Sequence, residues 1–248
     1  MPPTATESKP SSAHLKMRER LIVALDVSTG HAAREIVQRI GDAAGIYKIG
    51  LQLFTAEGPQ IVRDMVGSGR RVFLDLKLHD IPNTVGHAIK AAAELGPSMI
   101  TVHASGGPAM LRAAVEAAGS RMSVLAVTVL TSFRDADLRH TGVPHSMEEQ
   151  VVQLAALARA AGCAGVVSSP RETAQLRHFF GDNFAIVNPG VRPAGSDKDD
   201  QERTATPAEA IAAGASHIVV GRPITKASNP AEAAQAVIAE MAGTLSGA

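Results

Sequence analysis

Val72-Phe73-Leu74-Asp75-Leu76-Lys77-Leu78-His79-Asp80-Ile81-Pro82-Asn83-Thr84 is the stretch on which the reading of this chain turns. An apolar run of strand length opens it, and an amphipathic pattern at helical spacing follows at 85–95, stopping at Gly96. Alternate side chains of a strand share a face, so Leu74, Leu76 and Leu78 are expected on one side and Asp75 and Lys77 on the other. Charges of both signs thus stand inside an element that should be buried. Burying them costs several kcal/mol per ion unless they are paired and hydrogen-bonded. A third charge, Asp80, follows just past the strand end.

The same unit recurs along the chain. Strands are expected at 21–26, 46–53, 71–78, 99–103, 123–130, 165–168, 185–188 and 217–220. Amphipathic segments lie between them. Those at 32–40, 61–66, 85–95 and 148–161 end at Gly41, Gly67, Gly96 and Gly162, where glycine suits the left-handed cap beyond a helix. Eight strands, each followed by a helix, predict a single-domain α/β (β/α)8 (TIM) barrel. The strands are near-continuous apolar runs, as parallel strands covered by helices should be. A doubly wound sheet is the alternative, but it would more often carry a glycine fingerprint after its first strand. Asp26-Val27-Ser28-Thr29-Gly30 stands there instead.

Composition narrows the function. Lys plus Arg and Asp plus Glu both number 24, so no global basic field favours nucleic acid or an anionic membrane. Trp is absent and Tyr occurs once, which leaves little for base stacking. No apolar run reaches the roughly 18 residues of a membrane span. The lone Cys163 excludes an internal disulfide and a cysteine zinc site, and it reads as a small core residue. Residues 1–15, rich in Pro, Ser and Thr, are expected to be a disordered tail, with 16–248 as the barrel. The expected location is cytoplasmic.

In such barrels the chemistry sits at the C-terminal ends of the strands. Those ends carry Asp26, Lys48, then Asp75, Lys77 and Asp80, then His103, Thr131-Ser132, Asn188-Pro189-Gly190-Val191-Arg192, and Gly221-Arg222. Each has a bland reading alone: Asp26 as a turn cap, Lys48 as a solvated strand-end charge, His103 as a core histidine, Gly221-Arg222 as a surface loop. All of these would have to hold at one rim together. The long polar connection 189–207 fits a functional loop, and it holds Arg192 and Gln201. The loops after the seventh and eighth strands form the usual phosphate site of this fold, and guanidinium matches phosphate in a bidentate way. A small phosphorylated substrate follows.

A lysine held between carboxylates stays protonated, which makes Lys77 a proton donor rather than a Schiff-base nucleophile. Its ammonium can also stabilise a carbanion forming nearby. At about 4 Å and an effective dielectric of 20, one such pair is worth roughly 4 kcal/mol before desolvation. Aspartates near a substrate carboxylate repel it until that group leaves as carbon dioxide. That repulsion helps only if remote binding, such as a phosphate grip, holds the substrate.

The chain resembles the orotidine 5′-phosphate decarboxylase family. The resemblance is carried by Ala24-Leu25-Asp26, Tyr47-Lys48-Ile49-Gly50, Asp75 through Thr84, Leu130-Thr131-Ser132, Pro189 through Pro193, Asp199-Asp200-Gln201, and Val220 through Thr225. It implies that Lys77 protonates C6 after carbon dioxide leaves orotidine 5′-monophosphate. It implies that Asp75 faces the departing carboxylate in an alternating charge network with Lys48 and Asp80. Asp26 and Lys48 would hold ribose hydroxyls, and Thr131 would contact the pyrimidine. Gln201 would bridge base and phosphate, and Arg192, Gly221 and Arg222 would bind phosphate. The family uses no metal or cofactor and forms homodimers in which Asp80 and Thr84 reach the neighbouring site. On that view the charges of the third strand are compensated only in the dimer.

Three rivals share the barrel. Magnesium-dependent sugar-phosphate decarboxylases and aldol-type synthases share Asp-x-Lys-x-x-Asp and would use Asp75 toward metal; Thr131 and Gln201 argue against them. A ribulose-phosphate epimerase would need a His and Asp metal set. A non-catalytic phosphate-binding barrel would keep a buried charge cluster without benefit.

Overall fold

The computed structural model describes residues 17–193 and 205–243. The expected tail, 1–15, and Gln201, Asp199 and Asp200 lie outside the described residues. Eight parallel strands close into a barrel in chain order. They are β1 (Leu21–Ala24), β2 (Ile46–Gly50), β3 (Arg71–Leu78), β4 (Met99–His103), β5 (Ser123–Val127), β6 (Gly165–Val167), β7 (Ala185–Asn188) and β8 (His217–Val220). Closure is made by β1 on β8, with Leu21 opposite Ile218 and Val23 opposite Val220.

Alternation along the strands divides the apolar residues into two layers. Leu21, Val23, Tyr47, Ile49, Leu74, Ile100 and Val102 face outward and pack with the buried faces of the helices. Ile22, Ile46, Phe73, Met99, Leu125, Val167, Val187 and Val219 face inward and fill the lower barrel. The inward column changes character toward the C-terminal end. Two residues on from Ile46, Phe73 and Met99 stand Lys48, Asp75 and Thr101, and all three are buried. β6 approaches β7 so closely that a Cβ on Gly165 would lie 2.6 Å from that of Ala185, which requires glycine there.

Five strands differ little from the expected spans, and three end early. β2 stops at Gly50 because Leu51–Glu57 is a helix, with Leu53 buried on it. A short apolar run such as Leu51-Gln52-Leu53-Phe54 suits either period, so spacing alone does not decide it. β1 stops at Ala24, although the Leu25 N–H still donates to the Lys48 carbonyl. β5 stops at Val127, and Thr128 continues its bonding to the Val167 carbonyl.

Among the helices, Pro82–Ala93 starts three residues before the expected pattern. Pro82 takes the first turn, where its missing N–H costs nothing. Gly41, Gly96 and Gly162 adopt positive φ as expected. Gly67 does not: it lies inside Gln60–Gly67, and the turn is made by Gly69 at φ 78°. The 133–145 connection contains the short helix Asp135–His140.

Candidate active site

At the C-terminal mouth of the barrel lies a cavity of about 530 Å³. Phe73, Val167 and Val219 bring the apolar barrel interior to its lining, and Asp26, Lys48, Asp75, Lys77, Thr131, Arg192, Gly221 and Arg222 line it too. Strands β1, β2, β3, β7 and β8 therefore deliver charged or phosphate-competent groups to one space, although the residues lie up to about 200 positions apart in sequence.

The charges form a continuous chain. The Lys48 Nζ donates to Asp26 Oδ1 at 2.7 Å and stands 3.7 Å from Asp75 Oδ2. The Lys77 Nζ donates to the same Asp75 Oδ2 at 2.7 Å. Two ammonium groups thus flank one buried carboxylate, and a second carboxylate closes the row. Two positive and two negative charges meet within one subunit. This corrects the expectation that the charges of the third strand are compensated only in a dimer: Asp75 and Lys77 pair with each other at 2.7 Å, and Lys48 with Asp26 extends the row without adding net charge.

Asp80 and Thr84 are exposed and do not line the cavity. Asp80 Oδ1 accepts the N–H of Ile81 at 2.7 Å, so in the single chain it serves the turn into the following helix. Gly50 is a site residue that sequence reading missed. A Cβ there would lie 2.8 Å from Lys48 Nζ and 3.2 Å from Asp26 Oδ1, so glycine leaves room for that ion pair. Thr101 was also missed. It is fully buried, it donates to Asp75 Oδ1 at 3.0 Å, and it accepts the Lys77 backbone N–H at 2.8 Å. The available signal was its parity with Met99 and His103, which places it on the inward face beside Asp75.

Other rim residues have structural jobs. Asn188 is fully buried; its amide donates to the Ser168 carbonyl at 2.9 Å, and it accepts from Thr173 Oγ1 at 2.9 Å, tying the ends of β6 and β7 together. His103 faces His79, ring centroids 5.4 Å apart, and lines a separate cavity of about 320 Å³ with Phe133 and Leu138. Burial, then the neighbouring His79 and Lys77, hold the His103 pKa below its usual value. Burial pushes the Cys163 thiol up to about 11, in keeping with a core residue rather than a nucleophile. The 189–207 connection is clamped at its base, where the Arg192 N–H donates to the Ala205 carbonyl at 3.0 Å. No described helix is long and apolar enough to cross a membrane.

Comparison with known proteins agrees with this geometry. Residues 19–237 match the model of the "Orotidine 5'-phosphate decarboxylase / HUMPS family". A protein named orotidine 5′-phosphate decarboxylase from Rhodopseudomonas palustris is 51% identical over 226 residues, covering 91% of this chain and 95% of its own. One of the same name from Anaeromyxobacter dehalogenans is 52% identical over 225 residues, covering 91% and 99%. The crystal structure of orotidine 5′-phosphate decarboxylase from Lactobacillus acidophilus superposes with a TM-score of 0.82 at 40% identity, covering 90% of this chain and 99% of that one. Barrel, rim chemistry and relatives converge, and the chain belongs to the orotidine 5′-phosphate decarboxylase family.

Proposed function

We propose that this protein is a carbon–carbon lyase that decarboxylates orotidine 5′-monophosphate to UMP and carbon dioxide in pyrimidine biosynthesis. The observation that carries the reading is the row Asp26, Lys48, Asp75, Lys77 set against a mouth bearing Arg192 and Arg222. The bond between C6 and the carboxylate carbon breaks, and its electron pair stays on C6. Carbon dioxide leaves, and C6 takes a proton from the Lys77 ammonium. Asp75 repels the substrate carboxylate, and the ammonium groups of Lys77 and Lys48 favour the carbanion.

In this reading Arg192, Gly221 and Arg222, with Gln201 from the connecting loop, hold the phosphate. Asp26 and Lys48 hold ribose hydroxyls, and Thr131 contacts the pyrimidine. Binding at the phosphate supplies the energy that keeps the carboxylate against Asp75. The reaction is proposed to need no metal or cofactor. The active form is proposed to be a cytoplasmic homodimer of the 16–248 barrel, with Asp80 and Thr84 entering the neighbouring site. Their exposure in the single chain supports that arrangement, as does the exposure of Leu51 and Ile81 near the β2 and β3 ends.

The test is a spectrophotometric assay with orotidine 5′-monophosphate, with and without EDTA. Equal turnover in both is expected. Turnover that EDTA abolishes and magnesium restores, or turnover of a sugar phosphate instead, would favour the metal-dependent rival.

A further inference from the structure

We propose that Thr101 is a positioning residue for the decarboxylation: its single hydroxyl holds both the backbone of Lys77 and the carboxylate of Asp75. The inference rests on the assignment of Asp75 and Lys77 proposed above. It starts from an irregularity in the barrel. β3 pairs with β4 through Phe73 opposite Met99 and Leu74 opposite Ile100, and pairing resumes with Leu78 opposite Val102. Four steps along β3 thus match two along β4. Asp75, Leu76 and Lys77 bulge across Thr101 alone.

The bulge has a conformational cost. Lys77 has φ 51°, the one positive φ outside glycine among the described residues. An L-residue there is disfavoured by roughly 1–2 kcal/mol and persists only where the surroundings impose it. The bulge also takes the Lys77 N–H out of the regular ladder. Thr101 Oγ1 accepts that N–H at 2.8 Å, so a side chain replaces the missing backbone partner. The same hydroxyl donates its proton to Asp75 Oδ1 at 3.0 Å. Asp75 Oδ2 is then left to face Lys77 Nζ at 2.7 Å and Lys48 Nζ at 3.7 Å.

A hydroxyl both accepts and donates at one atom, which neither valine nor alanine can do. Thr101 is 0% exposed, so no solvent stands ready to substitute for it. The residue does not line the cavity. It acts through Asp75 and Lys77, by fixing the bulged backbone that sets where the lysine ammonium meets the carboxylate.

The test compares Thr101→Val and Thr101→Ser with wild type and with Lys77→Ala. Kinetics on orotidine 5′-monophosphate are measured with the affinity for UMP. Losing a buried hydrogen bond to a charged group predicts a kcat lowered about 10- to 100-fold in Thr101→Val. KM and the UMP Kd are expected to stay within about threefold. Thr101→Ser keeps the hydroxyl and is expected to retain kcat within about threefold, whether or not the valine variant folds. Placing Thr101→Val on Lys77→Ala is expected to cost no further turnover, because the group it positions is gone.

A valine variant with kcat within twofold of wild type overturns the proposal. So does a serine variant that is slow although folded, and so does a parallel collapse of kcat and UMP affinity. If Lys77→Ala itself keeps near wild-type turnover, the assignment of Lys77 fails, and that outcome is distinct from a failure of Thr101 alone.

Discussion

Replacing Lys77 by alanine separates the chemistry of the charge row from its contribution to folding. Asp75 Oδ2 lies 2.7 Å from Lys77 Nζ and 3.7 Å from Lys48 Nζ. At an effective dielectric of 20 these separations correspond to about 6 and about 4.5 kcal/mol of attraction before desolvation and screening. Removing Lys77 therefore leaves Asp75 with roughly two-fifths of its attraction, supplied by a lysine that is itself held by Asp26. Orphaning a buried charge outright costs about 3–5 kcal/mol, and the remaining partner should hold the loss to about 2–3 kcal/mol. For a chain of this size that is a fall in Tm of about 4–12 °C.

Activity should suffer far more. A positioned proton donor contributes about 10²–10⁴-fold, and the ammonium also stabilises the forming carbanion, so turnover should fall by at least about 10³-fold. That is about 4 kcal/mol of transition-state stabilisation. Lys77→Gly should be as inactive as the alanine variant yet more stable, by about 1 kcal/mol or 2–4 °C. Glycine adopts the φ of 51° without the steric cost. The assays are loss of orotidine 5′-monophosphate absorbance and thermal denaturation. Residual turnover within tenfold of wild type refutes the proton-donor role. A Tm drop beyond about 15 °C refutes the argument that Lys48 takes over the compensation of Asp75.

Arg222→Ala should raise KM for orotidine 5′-monophosphate by 10-fold or more; an unchanged KM removes Arg222 from the phosphate site. Mixing inactive Asp80→Ala and Lys77→Ala subunits should restore measurable turnover if sites are shared, and verified mixed dimers with no recovery count against a shared site. His217, at the start of β8 and far from the mouth, has its pKa lowered to about 4 by burial and then by Arg71 and Arg20. The unfolded chain binds that proton near 6.5, so the folded state is increasingly disfavoured as pH falls from about 6.5 toward 4. Up to roughly 3 kcal/mol is lost over that window, and His217→Gln should flatten the Tm profile there without changing turnover at pH 7.

Much of this protein is legible in its sequence. Eight apolar runs spaced by amphipathic segments specify the barrel, because parallel strands covered on the outside must be apolar throughout. Polar groups at strand ends then stand out against that background, which marks Asp26, Lys48, Asp75, Lys77, Thr131, Arg192 and Arg222 as candidates, and all seven line the cavity at the barrel mouth. What spacing left open was decided by contacts between segments distant in sequence. The second ammonium beside Asp75, that of Lys48, depends on β2 lying beside β3, and strict alternation does not foresee the bulge that places Lys77 at positive φ. Thr101 and Gly50 are ordinary strand residues in sequence. Their roles come from a hydroxyl meeting a backbone N–H across β3 and β4, and from a missing Cβ beside an ion pair. Local periodicity determines which way a side chain points, because it is a property of one strand. Which charge it meets, and at what distance, is a property of register between strands, and only the closed barrel sets it.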